Sequence, residues 1–262
     1  PLAGFFFYIP AGLLLFIPLL AYQVYYLPNL LLPGSQGYDA WALVSRWTAV
    51  IWILLDAGTG TAAVRYFSAR QTHYPRQAPR YIQYYVWWQF LSGAVQLGLT
   101  CLLIVVGAPN SRQAHLAYYL LARAALQFPG FLQVFTLAFH ARQRFDYEQF
   151  LIVLQLVVTV VLQAGLILAL RAWGSGQSGA GSGLGSVLGL AAGLYAGEVL
   201  TFVVGALLHR YQGLPISALF LPTFDGHTIR EMLSFGIPWT IAAALPALTL
   251  TIDPLLYTRM LA

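Results

Sequence analysis

The chain has 262 residues, of which 59% are hydrophobic and only 8% are charged. Soluble domains carry about 25% charged residues, so this composition excludes a soluble globular protein and predicts one embedded in a membrane. The net charge of +5 does not indicate nucleic-acid binding, because the arginines form short clusters between apolar runs, as in cytoplasmic loops of membrane proteins.

The chain contains seven apolar segments, each long enough for a membrane-spanning helix, which needs about 20 residues. Open sheet edges are not viable in lipid, so an all-α, polytopic membrane helix bundle is predicted. The chain begins at Pro1 and ends at Ala262 inside the last segment, so we expect a piece of a longer protein. In chain order the segments are Phe5–Tyr26, Trp41–Val64, Tyr81–Val106, Ala114–Phe139, Phe150–Arg171, Val187–Leu208 and Leu233–Ala262.

The connections between the segments alternate in charge. Basic connections lie on the cytoplasmic side of a membrane, so the N-terminus is predicted to be cytoplasmic. The connection Gly174–Gly185 is rich in glycine and serine and is predicted to be a flexible external loop. The basic connections carry Arg65, Arg70, Arg76 and Arg80, then Arg142 and Arg144, then Arg210 and Arg230.

The first and seventh segments share a proline pattern. Phe7 to Pro10 reads Phe-x-Ile-Pro with Pro18 eight residues on, and Phe235 to Pro238 reads the same with Pro246 eight residues on. Proline kinks a helix, so both segments are predicted to bend at matching depths. This predicts a parallel repeat, with a six-helix N-terminal lobe over residues 1–232 and the first helix of a truncated second lobe over 233–262.

Polar side chains follow single faces of several predicted helices. The third carries Gln89, Ser92, Gln96 and Thr100, which share one face, and the fourth carries Arg123 and Gln127. Polar groups facing lipid are costly, so these faces are predicted to point into the bundle, either as interhelical hydrogen bonds or as the lining of a hydrated cavity. The fifth helix carries Gln155, Thr159 and Gln163, and the sixth carries glycines four residues apart, at 185, 189, 193 and 197, which predict close packing.

Ionisable residues inside the predicted spans are candidates for function. Arg46 and Arg123 could hold a phosphate-bearing ligand, or could pair with Glu198 or Asp56. Gln89, Gln96 and Gln127 are candidate substrate contacts. Asp56, Glu198 and Asp253 are candidates for coupling transport to H⁺ or Na⁺. The chain has no motif that predicts a metal site, a cofactor site or a catalytic constellation, so no enzyme activity is predicted.

Several stretches resemble polysaccharide flippases. Asp56 to Tyr66 is similar to the Asp-x-Gly-x-Gly-x-Ala-x-x-Arg-Tyr/Phe motif of these proteins, and Gln143 to Tyr147 after the fourth helix resembles another stretch of them. Ser234–Asp253 resembles the opening of that family's second lobe, where Phe-Gly-x-Pro leads to an aspartate. The family is the O-antigen flippase branch of the multidrug/oligosaccharidyl-lipid/polysaccharide exporter superfamily.

The resemblance implies two six-helix lobes around a central cavity. It implies that an undecaprenyl-diphosphate-linked oligosaccharide is moved between leaflets by alternating access, for export of polysaccharides such as lipopolysaccharide O-antigen. It also implies that cavity arginines hold the diphosphate, a role that Arg46 and Arg123 would suit. A cation-coupled multidrug exporter of the same superfamily remains an alternative, and a membrane-embedded glycosyltransferase or polymerase is a weaker one.

Overall fold

The structure is a computed structural model that describes residues 14–32, 35–107, 116–176, 181–222 and 225–260. All regular elements in these ranges are helical, which confirms the all-α prediction. Segment Phe5–Tyr26 begins outside the described residues. The helices are α1 (Leu14–Leu31, ending in a π-helical stretch), α2 (Ser35–Asp56), α3 (Thr59–Arg70), α4 (Pro79–Gly107), α5 (Ala117–Gln127), α6 (Val134–Ala141), α7 (Phe145–Ser175), α8 (Gly181–Tyr211), α9 (Ser217–Phe220) and α10 (Gly226–Met260).

Five stretches within the described residues are long and apolar enough to cross a bilayer. The protein is therefore a multi-pass membrane protein in contact with lipid. The orientation of the N-terminus and the lobe boundary at residue 233 stay predictions. The five spans are α1, Tyr38–Arg70, α4, α7 and α8.

Two predicted segments are not single helices. Trp41–Val64 was expected to be continuous, but the chain turns at Ala57 and Gly58, whose φ angles are 51° and 63°. Ala114–Phe139 was also expected to be continuous, but α5 ends at Gln127 and α6 starts at Val134. Pro129 lacks a backbone donor and Gly130 has a φ of 81°, so neither continues a helix.

The predicted loop Gly174–Gly185 is wrong at both ends. α7 continues to Ser175 and α8 already begins at Gly181, while residues 177–180 lie outside the described residues. Two of the glycines lie where the helix ends pack together: a Cβ at Gly174 would lie 2.7 Å from the carbonyl of Gly181, and a Cβ at Gly185 would lie 3.3 Å from the Cα of Arg171. The composition suggested flexibility, but Gly174 and Gly185 serve the close approach of two helices.

The described residues form two compact units. The first combines the described part of Pro1–Trp41 with Leu132–Ile216 and holds α1, α6, α7 and α8. Its main contact is between α7 and α8. A Cβ at Gly189 or Gly193 would lie 2.5 Å from the Cα of Ile167 or Gln163, respectively, so the prediction of glycine-mediated packing is confirmed.

The second unit combines Ala42–Phe131 with Ser217–Ala262. It contains most of α2 together with α3, α4, α5, α9 and α10. The first turns of α4, residues 81–86, are buried on every side, so this part of α4 lies at the unit's core. The face of α10 that packs on α3 and α4 repeats every four residues, and its buried members are Thr228, Met232, Gly236, Thr240 and Ala244.

Candidate functional site

Asp56 ends α2 at the break in the second membrane span. Because Ala57 and Gly58 adopt left-handed backbone angles, the chain turns sharply and α3 starts at Thr59. The turn brings Thr59 back to the aspartate, and its Oγ1 donates a hydrogen bond to Asp56 Oδ1 at 3.1 Å. The break therefore presents a carboxylate and a hydroxyl together inside a membrane span.

Gln89 of α4 completes this group. Its Nε2 donates to Asp56 Oδ1 and to Thr59 Oγ1, the latter at 3.1 Å. Next to it, the Trp88 indole N–H donates to the backbone carbonyl of Leu55 at 2.8 Å. These bonds fix α4 against the helix break, so the positions of the carboxylate and the amide depend on each other.

The polar face of α4 continues away from the break. Gln89, Ser92, Gln96 and Thr100 are 1%, 7%, 2% and 8% exposed, whereas Leu91 and Leu99 on the other side are 61% and 52% exposed. The prediction that this stripe faces the interior is confirmed. Polar groups on α4 are shielded from hydrocarbon, and its apolar residues are left to meet lipid.

The end of α5 packs onto the same part of α4. A Cβ at Gly93 would lie 3.2 Å from the backbone carbonyl of Gln127, and a Cβ at Gly130 would lie 2.7 Å from the carbonyl of Gln89 and 3.1 Å from the Trp52 ring. The two glycines let the chain beyond α5 approach between Gln89 and Gln96. Gln127 is thereby placed beside the polar face of α4.

The three glutamines have spare hydrogen-bonding capacity. Gln89 Oε1, Gln127 Oε1 and both amide atoms of Gln96 are buried without a hydrogen-bond partner among the described residues. An unpaired buried polar group costs about 1–3 kcal/mol. An amide can donate and accept, so this cluster is suited to bind water or the hydroxyl groups of a polar ligand.

The two candidate arginines occupy different environments in the same unit. Arg46 is exposed on α2, next to exposed Leu43. It lies ten residues before Asp56, which corresponds to about 15 Å along a helix. Arg123 is half-buried on α5, one helical turn before Gln127, with its Nε buried. The roles assigned to both arginines stay predictions.

The remaining candidates are Glu198 and Asp253. Glu198 is half-buried on α8 in the other unit, and the side chain of Asp253 in α10 lies outside the described residues. In the unit of Glu198, the predicted polar face of α7 serves packing in part, because Gln163 Oε1 accepts a hydrogen bond from Tyr22 at 3.0 Å. Asp56 is the candidate coupling acid that the structure places among polar partners of the α4 face.

Sequence analysis missed two groups of this unit. Thr59 was not selected although it follows Asp56 by three residues across an Ala-Gly turn, a spacing that could have identified it. Glu231 of α10 was also missed; it accepts hydrogen bonds from Arg70 at 2.6 Å and from Tyr81 at 2.5 Å. Its residue type could have identified it, because the whole chain has only 8 acidic residues.

Comparison with known proteins supplies the family. Neither the curated proteins nor the solved structures gave a match to the chain. A family model described as polysaccharide biosynthesis protein matches residues 4–262, which is nearly the entire sequence. The match agrees with the resemblance found in the motifs around Asp56 and Phe235. The chain therefore belongs to the polysaccharide biosynthesis protein family.

Proposed function

We propose that this protein moves undecaprenyl-diphosphate-linked oligosaccharide across the cytoplasmic membrane of a bacterium or archaeon by alternating access. The observation that carries the proposal is the buried polar face of the membrane span α4, which is hydrogen-bonded to Asp56 and Thr59 of a second span and has Gln127 of α5 beside it. A sugar chain with a diphosphate cannot enter hydrocarbon, because unpaired polar and charged groups are too costly there. Amide side chains replace water around its hydroxyl groups.

In this proposal Arg46 and Arg123 bind the diphosphate. Guanidinium groups bind phosphate through paired, charge-assisted hydrogen bonds. An exposed arginine in a membrane span costs at least about 2.5 kcal/mol when it faces lipid, which favours a wet surface or an anionic ligand beside Arg46. Gln89, Gln96 and Gln127 contact the sugars. The protein acts as a carrier and not as an enzyme.

Coupling to an ion gradient is assigned to Asp56. Its carboxylate lies in a membrane span and is held by an amide and a hydroxyl, so binding of H⁺ or Na⁺ would rearrange these donors. The same carboxylate supports the second candidate, a cation-coupled multidrug exporter. Glu198 and Asp253 are further candidates in either case.

Export of surface glycan by cells that make the full-length protein tests the proposal. Arg46→Ala and Arg123→Ala should each reduce export at least tenfold, since losing a hydrogen bond to a charged group costs about 1.5–3 kcal/mol. Arg144→Ala is the matched control, because Arg144 is exposed and bonded to Asp146 outside the polar cluster, and it should leave export intact.

The result also separates the two candidates. Normal glycan export in both arginine variants would refute the flippase proposal. Efflux of a cationic dye that is abolished by Asp56→Asn, in cells whose glycan export does not depend on this protein, would establish the multidrug alternative.

A further inference from the structure

One carboxylate joins the first turns of α10 to α3 and α4. Glu231 Oε1 lies 2.6 Å from Arg70 Nη2 at the end of α3, and Glu231 Oε2 accepts a bond from the Tyr81 hydroxyl at the start of α4. His227, one turn earlier on α10, places its Nδ1 3.5 Å from the same Oε2. Each carboxylate oxygen thus holds a different helix.

Aromatic contacts surround this junction. Tyr66 stacks on Tyr81 with ring centroids 5.3 Å apart and meets the edge of Phe235 at 6.2 Å. The guanidinium of Arg70 lies 5.2 Å from the centre of the Tyr81 ring. Tyr81 is only 1% exposed, so losing Glu231 would leave its hydroxyl without this acceptor in a dry environment.

The segment of α10 that carries Glu231 is followed by a close backbone contact and a proline. Just beyond it, the α10 backbone comes close to the helix break, where a Cβ at Gly236 would clash with the Ala57 carbonyl. Pro238 follows, and because proline has no N–H, the carbonyl of Ser234 lacks its helical hydrogen bond. Within the continuous helix Gly226–Met260, Gly236 and Pro238 are therefore the positions where a bend after the Glu231 turn costs least.

The junction lies among excess positive charge. Arg65 is exposed, and its guanidinium lies 4.2 Å from the centre of the Phe235 ring. Phe235 follows Glu231 by one turn of α10. Arg80, next to Tyr81, is exposed and lies 3.9 Å from Asp225, and Arg230, next to Glu231, is also exposed, so four arginines face two carboxylates around the junction. Glu231 therefore pairs with a guanidinium in a region that attracts anions, and arginine binds phosphate, as it binds carboxylate, through paired charge-assisted hydrogen bonds.

We propose that Glu231 is an internal anion that latches α10 to Arg70 and Tyr81, and that a diphosphate group releases the latch by taking Arg70. This step deepens the proposed function and rests on it, because the diphosphate is that of the carried lipid. When the arriving diphosphate binds Arg70, before it moves on to Arg46 and Arg123, Glu231 loses its cation and the first turns of α10 swing about Gly236 and Pro238. Substrate arrival at the predicted cytoplasmic end thereby opens this end of the carrier.

Electron paramagnetic resonance of the full-length protein tests the latch. Spin labels are attached at Ala69→Cys on α3 and Arg230→Cys on α10, both exposed positions, in a Cys101→Ala background. Dipolar broadening should be strong in the latched protein. It should decrease when farnesyl diphosphate is added, and Glu231→Gln should show the decreased broadening without any ligand.

Two further variants provide a graded change and a control. Tyr81→Phe removes one of the two contacts of Glu231 and should decrease the broadening partly. This variant serves as the test if Glu231→Gln does not fold. Asp146→Asn, which breaks the exposed Arg144–Asp146 pair in the other unit, should leave the broadening unchanged. Inorganic pyrophosphate tests the source: an effect equal to that of farnesyl diphosphate assigns the site to diphosphate alone, and a weaker effect assigns it to the lipid-linked form.

The latch is overturned if Glu231→Gln keeps the full broadening or if neither diphosphate reduces it. Failure of the latch is distinguishable from failure of the proposed function, because the spectra are recorded on purified protein. Export that survives loss of Arg46 and Arg123 would remove the flippase assignment even if the spectra respond. Unchanged spectra would remove the latch even if export depends on both arginines.

Discussion

Gln96 is a buried residue whose side chain makes no hydrogen bond to any part of the chain that the structure describes. It is 2% exposed, and both of its amide atoms are buried without a partner among the described residues. We expect Gln96→Leu to leave the free energy of unfolding unchanged or to raise it by about 1–3 kcal/mol. The same change should reduce glycan export, since the amide is proposed to contact the sugar.

Gln163→Leu is the matched control for that prediction. Gln163 is similarly buried but accepts the bond from Tyr22, so its replacement should lower the free energy of unfolding by about 1–3 kcal/mol. Thermal unfolding in detergent measures both variants. A destabilised Gln96→Leu protein would show that Gln96 has a structural role and would argue against a ligand contact.

Asp56 carries the ion-coupling hypothesis at the residue scale. Asp56→Asn keeps one oxygen that can accept the Thr59 bond but removes the charge, so the fold should persist. We expect export by this variant to be low and insensitive to collapse of the ion gradient, while export by the unsubstituted protein should fall when the gradient collapses. Equal export and equal sensitivity in the two proteins would exclude Asp56 from coupling.

The α4 stripe shows what residue spacing can predict. Gln89, Ser92, Gln96 and Thr100 share a face in any helix, so their burial followed from the sequence. The bond between Gln89 and Asp56 did not, because it depends on the left-handed turn at Ala57 and Gly58 and on how α4 packs against it. Spacing fixes a face within one helix but not the partner on another.

Helix α8 provides a packing test at the element scale. Gly189→Ala would place a methyl group 2.5 Å from the Cα of Ile167 in α7 and should destabilise the protein by about 1–3 kcal/mol. Gly183→Ala on the same helix meets nothing within 4 Å and should be neutral or stabilising. Thermal unfolding of both variants measures the difference. Similar stability of the two would contradict the α7–α8 packing.

The break between α2 and α3 is a second element with a sharp test. Gly58 has a φ of 63°, and a Cβ there would lie 2.8 Å from the Cα of Gly236. Gly58→Ala should therefore destabilise the protein by about 1–3 kcal/mol through backbone strain and overpacking. The control, Gly98→Ala in α4, has open space and should not. An equally stable Gly58→Ala protein, measured by the same unfolding assay, would refute the close contact.

Element boundaries were the weakest part of the sequence predictions. Hydropathy correctly located α4, α7 and α8, because their apolar runs are long and uninterrupted. It joined α2 to α3 and α5 to α6, because Ala57–Gly58 and Pro129–Gly130 scarcely change the average polarity of a 20-residue window. Breaks of this kind depend on a few backbone angles. Both of the breaks that hydropathy missed lie next to the candidate site.

At the scale of the molecule, motif order identified the family that the family model then matched over residues 4–262. The structure adds a physical reason for two of these motifs, since residues from both meet in one unit. Gly58 approaches Gly236, and Arg65 and Tyr66 contact Phe235. Their separation in sequence concealed this contact, which only the folded chain reveals.

Transport as proposed requires water at the buried face of α4 while the opposite face of this helix meets lipid. Reaction with a membrane-impermeant, thiolate-selective methanethiosulfonate reagent measures this directly, using Ser92→Cys and Leu91→Cys in a full-length Cys101→Ala background. We expect rapid modification at position 92, although Ser92 is only 7% exposed, and none at position 91, where Leu91 is 61% exposed. Modification at position 91 with none at position 92 would contradict the central claim.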